Sequence, residues 1–174
     1  MSGLTLEALR DLHRPFPAAT VHWRAQTVTK ARTEGQFAAL ALAYVDARDV
    51  MDRLDQVCGP ANWQSEHFDA GAGKLGCRIG LFIDGMWLWK SDGAGDTDVE
   101  AEKGAFSGAL KRAAVSWGIG RYLYDIGNVW VPCEATPYQD GGREKYRFKK
   151  FTDDPWAHVK NAAAFLPKEQ KAAA

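Results

Sequence analysis

Two short apolar segments on either side of a tight-turn dipeptide constrain the fold of this chain most strongly. Residues 77–83 (CRIGLFI) and 86–91 (MWLWKS) are rich in strand-forming side chains, and only Asp84 and Gly85 lie between them. A two-residue Asp-Gly loop favours the type I′ turn of a β-hairpin, because both of its positions tolerate a positive φ. The sequence therefore predicts an antiparallel strand pair here, with residues 62–68 (NWQSEHF) as a further strand.

A second hairpin is predicted near the N-terminus, after a short helix over residues 4–13 that Pro15 and Pro17 end. Residues 20–30 alternate between apolar and polar side chains, which is typical of a half-buried strand, and residues 37–45 are mostly apolar. The predicted inner face of the first strand carries Val21, Trp23 and Ala25, and the predicted outer face carries His22, Arg24, Gln26 and Lys30.

Two further helices are predicted. Asp46 is a suitable N-cap for a helix over residues 47–58, which Gly59 and Pro60 end. A longer helix is predicted from about Asp98 to Gly118. Its expected apolar stripe consists of Val99, Phe106, Leu110, Ala113 and Trp117.

The order of these elements predicts an α+β fold, in which an antiparallel β-sheet packs on a long helix. The repeated strand–helix alternation that a doubly wound parallel sheet needs is missing from the pattern. We expect one domain over residues 1–174, with its core at about 15–130. The expected C-terminal extension, residues 131–174, contains a basic strand over 143–151 and a short helix over 155–166.

The composition predicts a folded chain without an overall charge bias. Hydrophobic residues make up 46% of the chain, and 22 basic residues balance 22 acidic ones. A nucleic-acid-binding protein is usually basic, so such a role here requires that the charges are segregated. Cys58, Cys77 and Cys133 lack metal-ligand spacing, and no signal peptide or membrane-spanning run is visible. We therefore expect a reduced, cytoplasmic, nucleoid-associated protein.

The stretch Gly93–Tyr124 (GAGDTDVEAEKGAFSGALKRAAVSWGIGRYLY) carries most of the candidate chemistry. Its glycines precede acidic residues, whereas a phosphate-binding loop needs Lys followed by Ser or Thr at the helix start. Carboxylates in this position could bind a metal ion for nuclease chemistry. More commonly, such carboxylates cap a helix N-terminus and favour its dipole. The acidic residues concerned are Asp92, Asp96, Asp98 and Glu100.

The helical part of this stretch has a basic face. Lys103 and Lys111 lie eight residues apart on it, and Arg112 follows directly. Gly104 and Gly108 lie nearby, although a glycine inside a helix costs about 1 kcal/mol relative to alanine. The glycines predict close approach by a neighbouring chain or by a phosphate backbone. The alternative is an ordinary solvated face with charges spaced at i and i+4.

Two motifs of this chain resemble the Rad52/Rad22 family of single-strand annealing proteins. Residues 93–125 resemble the family's helix motif, and residues 44–63 (YVDARDVMDRLDQVCGPANW) resemble an earlier signature; the match covers about residues 15–130. The resemblance implies a β-β-β-α annealing core that assembles into multimeric rings, with single-stranded DNA in a positively charged groove. It also implies ATP-independent annealing of complementary strands in recombinational DNA repair, without a cofactor and without enzymatic chemistry.

The resemblance also implies which residues contact DNA. Lys111 and Arg112 match the Lys-Arg pair on the family's groove-lining helix, and Arg24 matches an arginine on the hairpin strand. Lys103 would line the same groove. Arg48 matches the arginine that opens the early helix, where either DNA contact or a structural role fits.

The chain departs from the family pattern at several places. Val115 stands where eukaryotic relatives have a further basic residue, and the lysines of their outer DNA site have no counterpart at matching positions. The region with which eukaryotic relatives bind the recombinase is missing, which suggests a short bacterial or phage form, in the latter case acting in the host cytoplasm. A recombinase or a single-strand binding protein stays open as a partner.

The basic strand REKYRFKKF (143–151) has two interpretations. It either contacts DNA, or it is a solvated edge strand whose lysines prevent aggregation. Alternation predicts Lys145, Arg147 and Lys149 on one face and Tyr146 and Phe148 on the other.

Trp130 and Trp156 are assigned to the core or to a subunit interface before base stacking. Two other functions stay open beside strand annealing. One is the metal-dependent nuclease, and the other is a ring-shaped adaptor that does not bind DNA.

Overall fold

The structure is a computed structural model that describes residues 4–93 and 101–168, and these residues form two units. The first unit contains residues 4–15 and 45–122, and the second contains residues 16–44 and 123–168. Each unit has an antiparallel sheet, so the predicted α+β class is confirmed. The single annealing domain and its ring assembly stay predictions.

The N-terminal elements follow the sequence pattern closely. They are helix α1 (Leu6–Asp11), strands β1 (His22–Lys30) and β2 (Phe37–Tyr44), and helix α2 (Ala47–Cys58). The N–H of Asp46 donates to the carboxylate of Asp49 at 2.8 Å, which supports the start of α2. Helix α2 ends at Gly59, whose φ of 80° favours glycine.

The predicted Asp-Gly hairpin is present in the first unit. Strands β3 (Trp63–Asp69), β4 (Leu75–Ile83) and β5 (Met86–Gly93) form an antiparallel sheet in that order. Asp84 and Gly85 have φ angles of 49° and 83°, as a type I′ turn requires. Helix α3 (Ala101–Ser116) packs on this sheet, and the indole N–H of Trp117 donates to the carbonyl of Ile79 at 3.0 Å.

The predicted apolar stripe is confirmed at Leu110, Ala113 and Trp117, which are buried, but not at Phe106. Phe106 is 59% exposed, so its assignment to the core was wrong, while Val99 lies outside the described residues. The ring of Phe106 contacts that of His67, and His67 Nε2–H donates to the Phe106 carbonyl at 3.0 Å. Small side chains face the sheet instead and allow a close approach of the helix. Among the α3 side chains that the structure describes, the buried ones are Ala109, Leu110, Ala113 and Ala114.

The second unit contains a four-stranded antiparallel sheet in the order β1-β2-β6-β7. Strand β6 is Val129–Asp140, and strand β7 is Arg143–Phe151. The sequence predicts β7 but not β6, because Pro132 and Pro137 are unusual inside a strand. In the structure, Val131 is fully buried and Pro132 is exposed, as the alternation of a half-buried strand requires.

One face of this sheet forms the core of the second unit. Ala41, Val129, Val131 and Val159 are buried there. Trp23 packs edge-on against Trp156, with 5.4 Å between ring centroids, which confirms that Trp156 belongs to the core. The predicted helix over 155–166 was wrong. Two short 3₁₀ helices (Pro155–His158 and Ala162–Phe165) replace it, because Asn161 between them has a φ of 55°.

Within residues 4–93 and 101–168, no helix combines the length and the apolar character needed to cross a membrane.

Candidate nucleic-acid interface

The Lys-Arg pair of the sequence lies in the C-terminal half of α3. Lys111 is half-buried and Arg112 is exposed. Successive residues of an α-helix point about 100° apart, so the two cations leave the helix in different directions. Arg112 Nη2 lies 3.6 Å from Asp92 Oδ1 on β5. An ion pair this exposed is weak, so a phosphate group could displace the carboxylate.

Two other cations cap the C-terminal end of α3. The Arg121 guanidinium donates to the carbonyls of Val115, at 2.6 Å, and Ser116, at 2.9 Å. Lys90 Nζ donates to the same Ser116 carbonyl at 3.0 Å. These carbonyls lack partners inside the helix, and positive charge is favourable at this end of the helix dipole. Arg121 is therefore a structural cation, which the sequence alone did not reveal.

Gly118, which follows the end of α3, is in close contact with His13. Gly118 has a φ of 95°, and the His13 ring lies against it where a Cβ would have to be. Partial burial lowers the pKa of His13, and the charges of Arg121 and Lys90 lower it further. His13 is therefore held predominantly neutral near pH 7.

The two glycines on the basic side of α3 have free space beside them. A Cβ added to Gly104 or Gly108 would meet no atom within 4 Å. Packing within the described part of the chain therefore does not explain why these positions are glycine. Close approach by another molecule stays a prediction.

The rest of the predicted cluster on this stretch is only partly described. Lys103 belongs to α3, but its side chain lies outside the description. Asp96, Asp98 and Glu100 also lie outside the described residues. Asp92 is described, and besides its ion pair with Arg112 it accepts a hydrogen bond from the Gly93 N–H at 2.7 Å.

A β-bulge decides which β1 residues share a face with Arg24. Arg24 lies opposite Leu42, but the pairing skips Gln26. The skip moves every later residue to the other face, because side chains alternate along a strand. Lys30 therefore lies on the inner face with Trp23, and its predicted place beside Arg24 was wrong. Arg24 is exposed and has no ion pair or hydrogen bond with any described residue.

We call the surface of the four-stranded sheet that carries Arg24 the open face. By strand register it includes Leu40 and Leu42 of β2 and Trp130 and Tyr138 of β6. Trp130 is 45% exposed and Tyr138 39%, so Trp130 is not a core residue, and its alternative assignment to a subunit interface stays a prediction.

The cations of β7 lie partly on this open face. Lys145 pairs with Asp140, and the Arg147 guanidinium lies 5.4 Å from the centre of the Tyr138 ring. The pairing of β6 with β7 skips Lys149, so Lys150 takes its predicted place on the face. Lys150 is paired with Glu134 at 3.0 Å. As predicted, Tyr146 and Phe148 lie on the opposite face.

The charges of the chain are segregated at this sheet. The chain as a whole has a net charge of +0. The open face has five cations against two carboxylates, a net charge of +3. The cations are Arg24, Arg143, Lys145, Arg147 and Lys150, and the carboxylates are Glu134 and Asp140.

Arg48 lies in the first turn of α2 and is exposed, without an ion pair or hydrogen bond to a described residue. This leaves both predicted roles for Arg48 open.

The three cysteines are buried thiols. Burial raises the pKa of Cys58 to about 11, with a smaller contribution from Asp55, and burial raises the pKa of Cys77 and Cys133. The thiolate, which is the reactive form, is therefore scarce at neutral pH.

The comparison with known families covers most of the chain. The Rad52/22 family of double-strand break repair proteins matches residues 6–75 and 73–140. The chain belongs to this family. Lys111, Arg112, Arg24, Lys103 and Arg48 all lie in the matched regions of the Rad52/22 family, whereas strand β7 lies beyond them.

Two curated relatives have a more specific description. The chain is 43% identical over 123 residues to the single-stranded DNA-binding protein DdrA of Deinococcus deserti, and 42% identical over 123 residues to the DdrA of Deinococcus radiodurans. Each match covers 70% of this chain, but only 59% and 57% of the respective relatives.

Proposed function

We propose that this protein binds single-stranded DNA and anneals complementary strands without ATP, in recombinational DNA repair. The observation that carries the proposal is the segregation of charge. A chain without net charge has a charge of +3 on one sheet face of the second unit and, in the first unit, two consecutive cations, Lys111 and Arg112, on α3. Membership of the Rad52/22 family supports it, as does the similarity to two proteins named single-stranded DNA-binding proteins.

The proposed mechanism is electrostatic. Lys111, Arg112 and Arg24 hold phosphate groups, and the release of condensed counterions supplies most of the affinity. Phosphate contacts have no base preference, so binding is independent of sequence. Bases that the protein leaves unpaired can then meet a second strand, and base pairing drives the reaction. No bond is made or broken by the protein.

The experiment is the annealing of two complementary fluorescent oligonucleotides in EDTA without ATP. We expect the natural protein to accelerate annealing and the variant Lys111→Ala/Arg112→Ala to lose most of that effect. The slope of log affinity against log salt should also fall by roughly 1.4, at about 0.7 for each phosphate contact on a single strand.

A matched control removes two positive charges elsewhere. Arg32→Ala/Lys160→Ala changes two exposed cations outside α3 and the open face, and it should anneal like the natural protein. Equal loss in both variants would mean that total charge alone matters. An unchanged Lys111→Ala/Arg112→Ala variant, or a natural protein without annealing activity at low salt, would refute the proposal.

We also infer that copies of this chain assemble into a ring through the outer face of the β3-β4-β5 sheet. By register this face carries Phe68, Phe82, Trp87 and Trp89, and Phe68, Trp87 and Trp89 are each 37% exposed. Its only cation, Arg78, is neutralised by Glu66 at 2.6 Å. This surface lacks the net positive charge that attracts a polyanion, and it has the composition of the centre of a protein interface.

Light scattering after size exclusion tests the ring. We expect Trp87→Glu to reduce the molar mass, because a carboxylate would be buried without a partner. Tyr124→Glu, which changes a 73% exposed aromatic residue elsewhere, should leave the mass unchanged. A Trp87→Glu protein with the natural mass would rule out this surface.

A further inference from the structure

Trp130 occupies an unusual position for a tryptophan. It lies opposite Leu40 on the open face, across strand β2 from β1, where Arg24 lies opposite Leu42, two residues further along β2. Its side chain is 45% exposed, and it makes no hydrogen bond or ring contact with any residue in the described ranges. The exposed part of this indole, an apolar ring with a polar N–H, is therefore available to a ligand.

The other tryptophan of this sheet provides an internal comparison. Trp23 lies on the inner face, is half-buried and packs edge-on against Trp156 at 5.4 Å. Trp130 is not among the described side chains that form the core of the second unit or pack against it.

The charge around Trp130 indicates the chemistry of the ligand. The open face has a net charge of +3, and Arg24 on it has no ion-pair partner among the described residues. At the far end of β6, Tyr138 is 39% exposed beside Arg147. Cations interleaved with exposed aromatic rings are typical of surfaces that bind single-stranded nucleic acid, where phosphates meet the cations and bases stack on the rings.

A single strand fits this surface better than a duplex does. The bases of a duplex are already stacked on one another, so their flat faces are not available to an indole on a sheet. An unpaired base offers its flat face at no such cost. A second copy of this chain fits less well, because two faces of charge +3 would repel each other.

We propose that the open face of the four-stranded sheet binds single-stranded DNA through its bases, with Trp130 as the stacking residue and Arg24 and Arg147 as phosphate contacts. This inference rests on the proposed function and adds to it a base-contacting surface. It includes strand β7, which lies beyond the regions matched by the family. Trp130 gives the protein a sequence-independent contact with bases in addition to its contacts with phosphates.

The first test measures the affinity for a fluorescent oligothymidine by anisotropy over a range of salt concentrations. We expect Trp130→Ala to weaken binding about tenfold and Trp130→Phe to retain most of the affinity, because a phenyl ring still stacks. The salt slope of Trp130→Ala should be unchanged, since stacking releases no counterions. Arg24→Ala/Arg147→Ala should instead lower the slope by roughly 1.4.

The control is Tyr124→Ala, which removes an aromatic side chain that is 73% exposed and outside both cationic surfaces. It should bind like the natural protein. Natural affinity in Trp130→Ala would overturn the inference while leaving the proposed function intact. A natural protein that does not bind the oligonucleotide at all would overturn both.

A second measurement uses the natural chain and does not depend on the folding of any variant. An oligonucleotide with 5-bromodeoxyuridine is crosslinked to the protein by ultraviolet light, and the modified peptide is identified by mass spectrometry. We expect the crosslink at Trp130. Crosslinks confined to residues outside the open face would overturn the inference. A Trp130→Ala protein that forms a smaller oligomer but keeps the natural affinity per subunit would instead assign this face to contacts between copies of the chain.

Discussion

Arg112 Nη2 lies 3.6 Å from Asp92 Oδ1, so a carboxylate of the same unit partly neutralises one of the two adjacent cations on α3. Both side chains are largely exposed, at 51% and 39%. In this position Asp92 would compete with any phosphate group that approaches Arg112. A substitution of Asp92 also distinguishes strand annealing from nuclease activity, two functions that the sequence leaves open, because Asp92 is one of the predicted ligands of a nuclease metal ion.

Asp92→Asn should raise the affinity for single-stranded DNA about two- to fivefold at low salt, because it removes the competing charge. Fluorescence anisotropy at two salt concentrations measures this, and the gain should shrink at high salt. Asp52→Asn makes the same charge change at an exposed position on α2 and serves as the control. If the natural protein cleaves DNA with magnesium and Asp92→Asn abolishes the cleavage, the nuclease interpretation is correct instead.

Gly108→Ala should stabilise the free protein by about 1 kcal/mol, because alanine is the better helix former and the added methyl group meets no atom within 4 Å. Thermal unfolding measures this gain. If a DNA backbone approaches this turn of α3, the same variant should bind single-stranded DNA more weakly. A more stable variant with unchanged affinity would mean that the glycine serves no close approach.

Gly80→Ala should destabilise the first unit by about 1–3 kcal/mol, because the new methyl group would lie 2.9 Å from the Trp89 ring. The Trp89 ring lies flat over Gly80 on the outer face of the sheet, directly across from it in the pairing. Gly93→Ala changes a glycine of β5 with no atom within 4 Å of its added Cβ, and it should be neutral or slightly stabilising. Equal urea midpoints for the two variants would contradict the packing described.

Protonation of His13 should make the folded protein less stable below about pH 6.5. Its pKa is lowered in the folded state, first by partial burial and then by Arg121 and Lys90. Neutral His13 therefore contributes fully to the stability of the folded protein above the pKa that His13 has in the unfolded chain. This contribution is lost as the pH falls towards the lower pKa of the folded state, because the unfolded chain takes up the proton first. Urea unfolding at pH 8 and pH 5.5 should show a smaller difference for His13→Asn than for the natural chain. An equal difference would exclude the histidine as the cause.

Much of the fold follows from local sequence signals. The Asp84-Gly85 turn and the Gly59 helix end appear where the sequence predicts them, because positive φ angles select their residues locally. Strand β6 and the two C-terminal 3₁₀ helices were missed. Prolines mask the strand pattern of β6, and a left-handed Asn161 breaks a segment whose composition suits a helix.

The candidate site, like the fold, could be predicted from the sequence only in part. By itself, the sequence determined the two hairpins, the membership of the Rad52/22 family and the residue types at Lys111, Arg112 and Arg24. Only the tertiary structure decided which side chains share a surface. The skip at Gln26 moves Lys30 to the inner face, and the skip at Lys149 places Lys150 on the open face. Pairing of β2 with both β1 and β6 places Trp130 and Arg24 on that same face. The physical reason is that strand register depends on packing between segments far apart in the chain, whereas turn chemistry depends on neighbouring residues alone.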